Sequence, residues 1–246
     1  MKHVIPPSFR ILLVQVRNPH DPMKPQEVRC FQSAIQCTAD QIEVFDLTNG
    51  RPFGNALLRR NDLVVIGGSG DYSVAEGGPW WSTAAEDMSI LYDTGKPLFA
   101  SCWGFQALAR ALGGSVVTDL SRAEVGTIRV TLTEAAQKDP VFRHAPHTLN
   151  VQAGHQDIVE SLPDDAVRLA SSDRVANQAF TFHDKPIYAT QFHPELNRGA
   201  LIERVRAYPQ YVEKIAGMNV DEFIHHCTET PDSVELLRRF IDLLTE

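Results

Sequence analysis

The sequence predicts an α/β fold: a three-layer, open, mostly parallel sheet with flanking helices and a smaller antiparallel sheet. The first observation behind this is a set of short apolar runs, Ile11-Leu12-Leu13-Val14, Leu63-Val64-Val65-Ile66 and Leu98-Phe99-Ala100. They lack polar alternation, as parallel strands covered on both faces do. The second is that helical patterns separate these runs, the order of right-handed βαβ units wound on both sides of one sheet. The third is a change of pattern after residue 115, where apolar and polar residues alternate as in half-exposed antiparallel strands.

In chain order, Arg10 to Val16 is the first strand and residues 17–23 are a loop punctuated by Pro. A helix is expected from about Gln26 to Thr38, with Val28, Phe31, Ile35 and Ala39 along one face. Cys30 and Cys37, seven apart on one side of it, read as helix packing and not as a redox pair. Gln41 to Leu47 is a second strand, Asn55 to Arg59 a short helix, and Asp62 to Ile66 a third strand. Gly77-Gly78-Pro79-Trp80-Trp81 opens the next helix; Pro79 suits a first turn, and the Trp pair reads as packing. Leu98 to Ala100 is a strand and Phe105 to Leu112 a helix, closed by Gly113-Gly114.

The second half carries short strands at Ser115–Thr118, Thr127–Thr133, Thr148–Gln152, Asp157–Val159, Ala166–Ala170, Gln178–Phe182 and Ile187–Phe192. Arg198 to Ala216 is helical, with Pro209 as the point where it would break. Asp221 to Cys227 is another short helix, and Asp232 or Ser233 caps a last one carrying Val234, Leu237, Phe240, Ile241 and Leu244.

At 246 residues, 43% hydrophobic and 22% charged, the chain suits one globular α/β domain over 1–246. Its 23 Lys and Arg against 31 Asp and Glu leave a net charge of −8, which argues against a nucleic-acid or anionic-membrane surface. No apolar stretch approaches the ~20 residues that span a bilayer, and Met1 to Pro7 lacks the apolar core of a secretory signal. Cys30, Cys37, Cys102 and Cys227 show neither zinc spacing nor a CxxC pair, so the expected setting is reducing and cytoplasmic. His144 and His147 have no ligand companions, and no metal or cofactor is expected. There are no internal repeats or linkers.

The chemistry centres on Ser101-Cys102-Trp103-Gly104-Phe105-Gln106. A strand feeding a helix through a small-residue corner is the layout of a nucleophile elbow, which lifts its central side chain above the sheet edge. The new helix's free N–H groups and positive dipole end lie beside it, an environment that favours thiolate, the reactive form of cysteine. A buried, inert Cys is the competing reading, and the elbow alone leaves the two even. Ninety-one residues later, Ile187 to Phe192 ends in His193, Pro194 stiffens the turn, and Glu195 follows. A Cys nucleophile needs a base, and the base a third group to orient it; His193 and Glu195 supply both. Upstream, Gly67-Gly68-Ser69-Gly70 follows the third strand, at the sheet edge where open α/β folds bind ligands. It is not a P-loop, since Asp71-Tyr72 stand where Lys and Ser or Thr are needed, and Ser73 breaks GxGxxG.

Cys102-Trp103-Gly104-Phe105-Gln106, Phe192-His193-Pro194-Glu195 and the Gly67–Gly70 loop together resemble the class I (triad) glutamine amidotransferase family, over roughly residues 10–196 and the last helix. The resemblance implies that family's flavodoxin-like fold and a Cys102, His193, Glu195 triad. It also implies an oxyanion hole from the Gly68 and Trp103 N–H groups, and substrate contacts from Gln106, His155 and Gln156. Where the family commonly has Pro this chain has Ser69, and Phe105 replaces a common His. Residues 197–230 read as an inserted helical segment that covers the site, binds a partner or adds core.

The implied activity is release of ammonia from the glutamine side-chain amide through a Cys thioester, in a stand-alone chain similar to the glutaminase domain of GMP synthase. No ammonia-accepting domain is present in the sequence, so a separate synthase partner is the expected acceptor. An alternative keeps the triad for γ-glutamyl peptides or conjugates, with Ser69 and Phe105 bearing on the choice. A second is a non-catalytic binding module, against which all three triad residues count. A cysteine protease of the wider superfamily is more distant.

Overall fold

The computed structural model describes residues 5–245. Strand β1 (Ile11–Gln15) is buried along its whole length. After helix α1 (Met23–Ile35), β2 (Ile42–Asp46) pairs parallel to one side of β1. After α2 (Gly54–Arg60), β3 (Leu63–Ile66) pairs parallel to the other. α3 (Trp81–Thr94) leads to β4 (Leu98–Ser101), parallel to β3, and α4 (Trp103–Ala111) follows at once.

The alternating half of the chain then forms β5 (Ser115–Thr118), β6 (Glu124–Leu132), β7 (Thr148–His155), β8 (Asp157–Ser161), β9 (Ala166–Ser171), β10 (Ala179–Phe182) and β11 (Lys185–Thr190). β11 returns to lie parallel to β4. The main sheet therefore runs β2-β1-β3-β4-β11-β10-β9-β6-β7, parallel up to β11 and antiparallel beyond it; β5 and β8 make the small antiparallel sheet. The expected architecture is what is observed. α5 (Arg198–Ala207), α6 (Pro209–Ala216), α7 (Val220–Ile224) and α8 (Pro231–Thr245) complete the chain.

Two cores flank the sheet. Phe31, Ile35, Phe99, Tyr188, Phe240 and Ile241 fill the face under α1 and α8, and Leu57, Val64, Met88, Leu91, Phe105 and Leu108 the face under α2, α3 and α4. Trp80 and Trp81 pack on Trp103, with ring centroids 5.6 and 6.5 Å away, so the Trp pair is packing. All four cysteines are free thiols.

Some boundaries differ from expectation. α1 starts at Met23, because Pro25 falls in a first turn whose N–H groups need no helical partner. It stops at Ile35, where Gln36 turns left-handed at φ 62°. β6 begins three residues earlier than expected, since Glu124 already pairs with His155 of β7. Pro209 does split the 198–216 helix, opening α6 as its first residue.

The parallel strands all point their carboxyl ends the same way. Arg17, the Gly67–Gly70 loop, Cys102 and His193 leave from that one edge, after β1, β3, β4 and β11. This is the edge on which the site is built.

Candidate active site

Cys102 sits between the last residue of β4 and the first of α4 with φ 50° and ψ −100°, a conformation that costs a non-glycine residue energy and is kept only where the surroundings impose it. Its N–H donates to the Thr190 carbonyl at 2.8 Å, tying the corner to β11. α4 can start so abruptly because Gly104 has no side chain: a Cβ there would lie 2.8 Å from Cβ of Ile66 on β3. The Cys102 side chain is buried, and its thiol points toward the Gly154 carbonyl at 3.7 Å.

His193 and Glu195 meet across the Pro194 turn. Nδ1 of His193 lies 2.6 Å from Oε1 of Glu195, and Cys102 acts electrostatically on the same ring. Burial alone would lower the His193 pKa, but the charges of Glu195 and Cys102 prevail and push it up to about 9. Glu195 is also buried, which would raise its pKa, yet His193 and then Arg204 hold it below the usual carboxylate range. The arrangement favours an imidazolium beside the Cys102 sulfur, a pairing of groups suited to nucleophilic attack and proton delivery.

Gly68 lies against both Cys102 and His193. A Cβ there would stand 2.7 Å from Cε1 of His193 and 3.5 Å from Cβ of Cys102. Among the described residues, neither the Gly68 N–H nor the Trp103 N–H, the first of α4, meets an acceptor. Ser69 shapes the next turn, accepting the Tyr72 N–H at 3.1 Å.

A polar cavity of about 260 Å³ opens on the thiol, lined among others by Cys102, Trp103, Gln106, His155, Gln156 and Tyr211. Gln106 is buried and donates through Nε2 to the Asp157 carbonyl at 2.9 Å and to Gln191 Oε1 at 3.1 Å. His155, expected in a loop, ends β7; its ring is buried between the Asp157 carbonyl, 3.1 Å from Nδ1, and Glu124, 3.2 Å from Nε2. Gln156 is half-buried and accepts from Lys214 Nζ of α6 at 2.6 Å. Asp157 braces the cavity wall by accepting from Ser73 Oγ at 2.7 Å, the Ala75 N–H at 3.1 Å and Thr118 Oγ1 at 2.6 Å.

The segment 197–230 reaches this centre with three side chains that sequence reasoning does not single out. Arg204 of α5 is buried with Nη1 3.3 Å from His193 Nδ1 and 3.7 Å from Glu195 Oε1, while Nε donates to Gln26 Oε1 at 3.0 Å. Tyr208 donates to Asp21, and Tyr211 donates to the Gly70 carbonyl at 3.0 Å. Behind them Arg17 is buried, bonded to Asp21 and Glu27 at 3.0 Å each. Arg204 belongs to α5, Tyr208 to its C-cap and Tyr211 to α6, so no single helical period links them and the sequence pattern offers no signal that joins them. Phe105 lies wholly in the core against Phe180, at 5.1 Å between ring centroids.

Among the described residues no group of three or more His, Cys, Asp or Glu side chains is placed to hold a metal, and no helix is long and apolar enough to cross a membrane.

Comparison with known proteins agrees with this fold. Among solved structures, a glutamine amidotransferase from Thermotoga maritima superposes with a TM-score of 0.75 at 23% identity, over 96% of this chain and 98% of that one. A second, from Methylobacillus flagellatus, gives 0.70 at 19%, over 95% and 94%. At that identity the likeness concerns the fold. In sequence, the chain is 34% identical over 149 residues to a glutamine-hydrolyzing GMP synthase subunit from Methanothermobacter thermautotrophicus, covering 61% of this chain and 73% of that protein. It is 32% identical over 123 residues to the corresponding subunit from Methanocaldococcus jannaschii, covering 50% of this chain and 63% of that protein, so less than two thirds of the second relative is spanned. The family model for class I glutamine amidotransferases matches residues 35–203, a stretch that holds the glycine loop, the strained cysteine corner and the His-Pro-Glu turn. The chain belongs to the class I glutamine amidotransferase family.

Proposed function

We propose that this chain hydrolyses the side-chain amide of glutamine, with Cys102 as nucleophile, His193 as proton carrier and Glu195 as the group that orients and charges it. The observation that carries the reading is the convergence of a strained Cys102 and a His193–Glu195 pair at 2.6 Å on one sheet edge. The thiolate of Cys102 attacks the amide carbon, and the Gly68 and Trp103 N–H groups stabilise the oxyanion, a contribution worth roughly 3–4 kcal/mol per donor in related acyl transfers. The C–N bond breaks as His193 gives its proton to the nitrogen, releasing ammonia. Water, deprotonated by His193, then cleaves the thioester to glutamate.

Gln106, His155 and Gln156 belong to the wall that would receive the amino-acid end of the substrate. The relatives named as glutamine-hydrolyzing GMP synthase subunits support a partner that consumes the ammonia, namely a synthetase chain. The helical segment 197–230 belongs to the same single domain and covers the site. A reducing, cytoplasmic setting would keep Cys102 a thiol.

The test is mass spectrometry after incubation with a glutamine-like chloroketone, beside ammonia release from glutamine. Alkylation of Cys102 that disappears in Cys102→Ser, together with glutamine turnover, is the expected result. Alkylation confined to Cys30, Cys37 or Cys227 would refute it. A second reading on the same residues, hydrolysis of γ-glutamyl amides, is favoured by a second cavity, lined by His193 and walled by Val125, Leu196, Leu201 and Val205.

A further inference from the structure

Two neighbouring cavities flank the Cys102–His193 pair, one lined by each residue, and they differ in chemistry. The polar one contains Cys102 and Gln106; the other, about 70 Å³, contains His193 and is walled by Val125, Ala153, Leu196, Leu201 and Val205. Ser69, Gly70, Gly154 and Tyr211 form the partition they share. One water needs roughly 10–15 Å³ of such volume, so the second chamber has room for on the order of five water-sized groups.

Its position gives it a meaning. In C–N cleavage the imidazolium protonates the departing nitrogen, so whatever that nitrogen carries lies on the imidazole's side of the sulfur. Ammonia carries nothing and gains nothing from aliphatic walls. An alkyl substituent gains roughly four-fold in affinity for each methylene it buries.

The charges bordering the chamber are already matched. Arg17 is bonded to Asp21 and Glu27 at 3.0 Å each, and Arg204 is paired with Glu195 at 3.7 Å. No net positive charge is left over for a carboxylate on the leaving group. Two of the walls, Leu201 and Val205, come from α5, whose residues pack with Val212 and Phe223 in a small core of their own.

Resting on the triad chemistry proposed above, we propose that the chain acts on small, neutral γ-glutamyl alkylamides, the alkyl group on nitrogen seated in the apolar chamber beneath α5. The Cys102 thiolate bonds to the γ-carbon, the C–N bond breaks, and the alkylamine departs with the proton of His193. Water then cleaves the thioester, so amide plus water gives glutamate and the protonated amine, with His193 and Cys102 restored.

The experiment is kcat/KM, read as glutamate release, for glutamine, for γ-glutamyl methyl-, ethyl- and propylamide, and for γ-glutamyl-alanine. It is run on the full chain and on Val205→Phe and Leu201→Ala, with Cys102 alkylation by the chloroketone as a control. The expected result is an ethylamide preferred over glutamine by about four- to sixteen-fold. Val205→Phe should abolish that preference by lowering kcat/KM for the ethylamide far more than for glutamine, and Leu201→Ala should shift the preference to the propylamide. Since the two variants move the preference in opposite directions, a folding defect in one does not mimic the pattern. Glutamine hydrolysed at least as well as every alkylamide, γ-glutamyl-alanine preferred over the ethylamide, or both variants altering all substrates equally would each overturn the inference while leaving the glutaminase reading intact. Absence of Cys102 alkylation together with no turnover would instead remove the triad reading and this inference with it.

Discussion

Arg204 of α5 places Nη1 3.3 Å from Nδ1 of His193, the nitrogen that also faces Glu195 at 2.6 Å. With its proton on Nδ1 and donated to Glu195, that nitrogen cannot accept from a guanidinium as well. The partner of Arg204 is therefore the carboxylate, 3.7 Å away, and its effect on His193 is exerted through Glu195. A cation on the covering segment helps keep a buried glutamate ionised, and the ionised glutamate keeps the imidazole charged.

Arg204→Met should accordingly let Glu195 protonate at a higher pH, moving the acid limb of kcat/KM upward. The loss at neutral pH should be about ten-fold, a fraction of the ~10²–10⁴ that general acid–base transfer is worth. Arg204→Lys should restore most of the limb because it restores the charge. A pH–rate profile of both variants checks this; an unshifted acid limb in Arg204→Met would show that Arg204 only packs.

The raised pKa of His193 has a sign that can be worked out. An unfolded imidazole titrates near ~6.5, whereas in the folded chain Glu195 and Cys102 overcome burial and push the value up to about 9. The folded state then binds the proton more tightly. The stabilisation is fully present below the unfolded pKa and is lost as pH rises through the folded one. Thermal melts from about pH 6 to about pH 10 should show Tm falling across that window, less steeply in His193→Gln. Activity should decline above about pH 9, and Glu195→Gln should move that alkaline limb downward.

Two glycines separate catalysis from stability. A Cβ at Gly68 would meet His193 Cε1 at 2.7 Å, so Gly68→Ala should cut turnover by about 10²-fold through ring displacement, with Tm nearly unchanged. A Cβ at Gly104 would meet Ile66 at 2.8 Å and its carbonyl oxygen at 3.1 Å, where neither side can yield cheaply. Gly104→Ala should cost about 1–3 kcal/mol by denaturant unfolding.

Away from the site, Asp87 of α3 is buried and accepts the Phe53 N–H at 3.1 Å. Burial outweighs that hydrogen bond and raises its pKa to about 6. A carboxyl with a raised folded pKa destabilises the chain as pH climbs from its unfolded value, near ~3.9, through the folded one. Asp87→Asn keeps an acceptor for Phe53 and removes the charge. It should raise stability by about 1–2 kcal/mol at about pH 7 and give no gain below about pH 4, as urea melts at the two pH values would report.

What can be read from the sequence is local. The cysteine corner and the His-Pro-Glu turn are each encoded within a few residues, so their strand–turn geometry follows from apolar runs, Gly104 and Pro194. The buried parallel strands are legible because they lack polar alternation. The long-range pairs are not. Arg204 meets Glu195 and Gln26 only because α5 packs across α1, and Arg17 meets Glu27 only after α1 folds back over β1. Periodicity marks Leu201, Val205 and Tyr208 as one apolar face and gives no hint that its neighbour Arg204 turns inward. His155 reads as a loop residue because the pairing of Glu124 with it depends on a strand 31 residues earlier.

The most direct measurement is rapid acid quench of the chain with glutamine or γ-glutamyl ethylamide, followed by peptide mass spectrometry. A glutamyl thioester on Cys102, absent in Cys102→Ser and accumulating in Glu195→Gln, is the predicted result. Turnover of either substrate without an adduct on Cys102, or turnover that persists in Cys102→Ser, would contradict the assignment of Cys102 as the nucleophile.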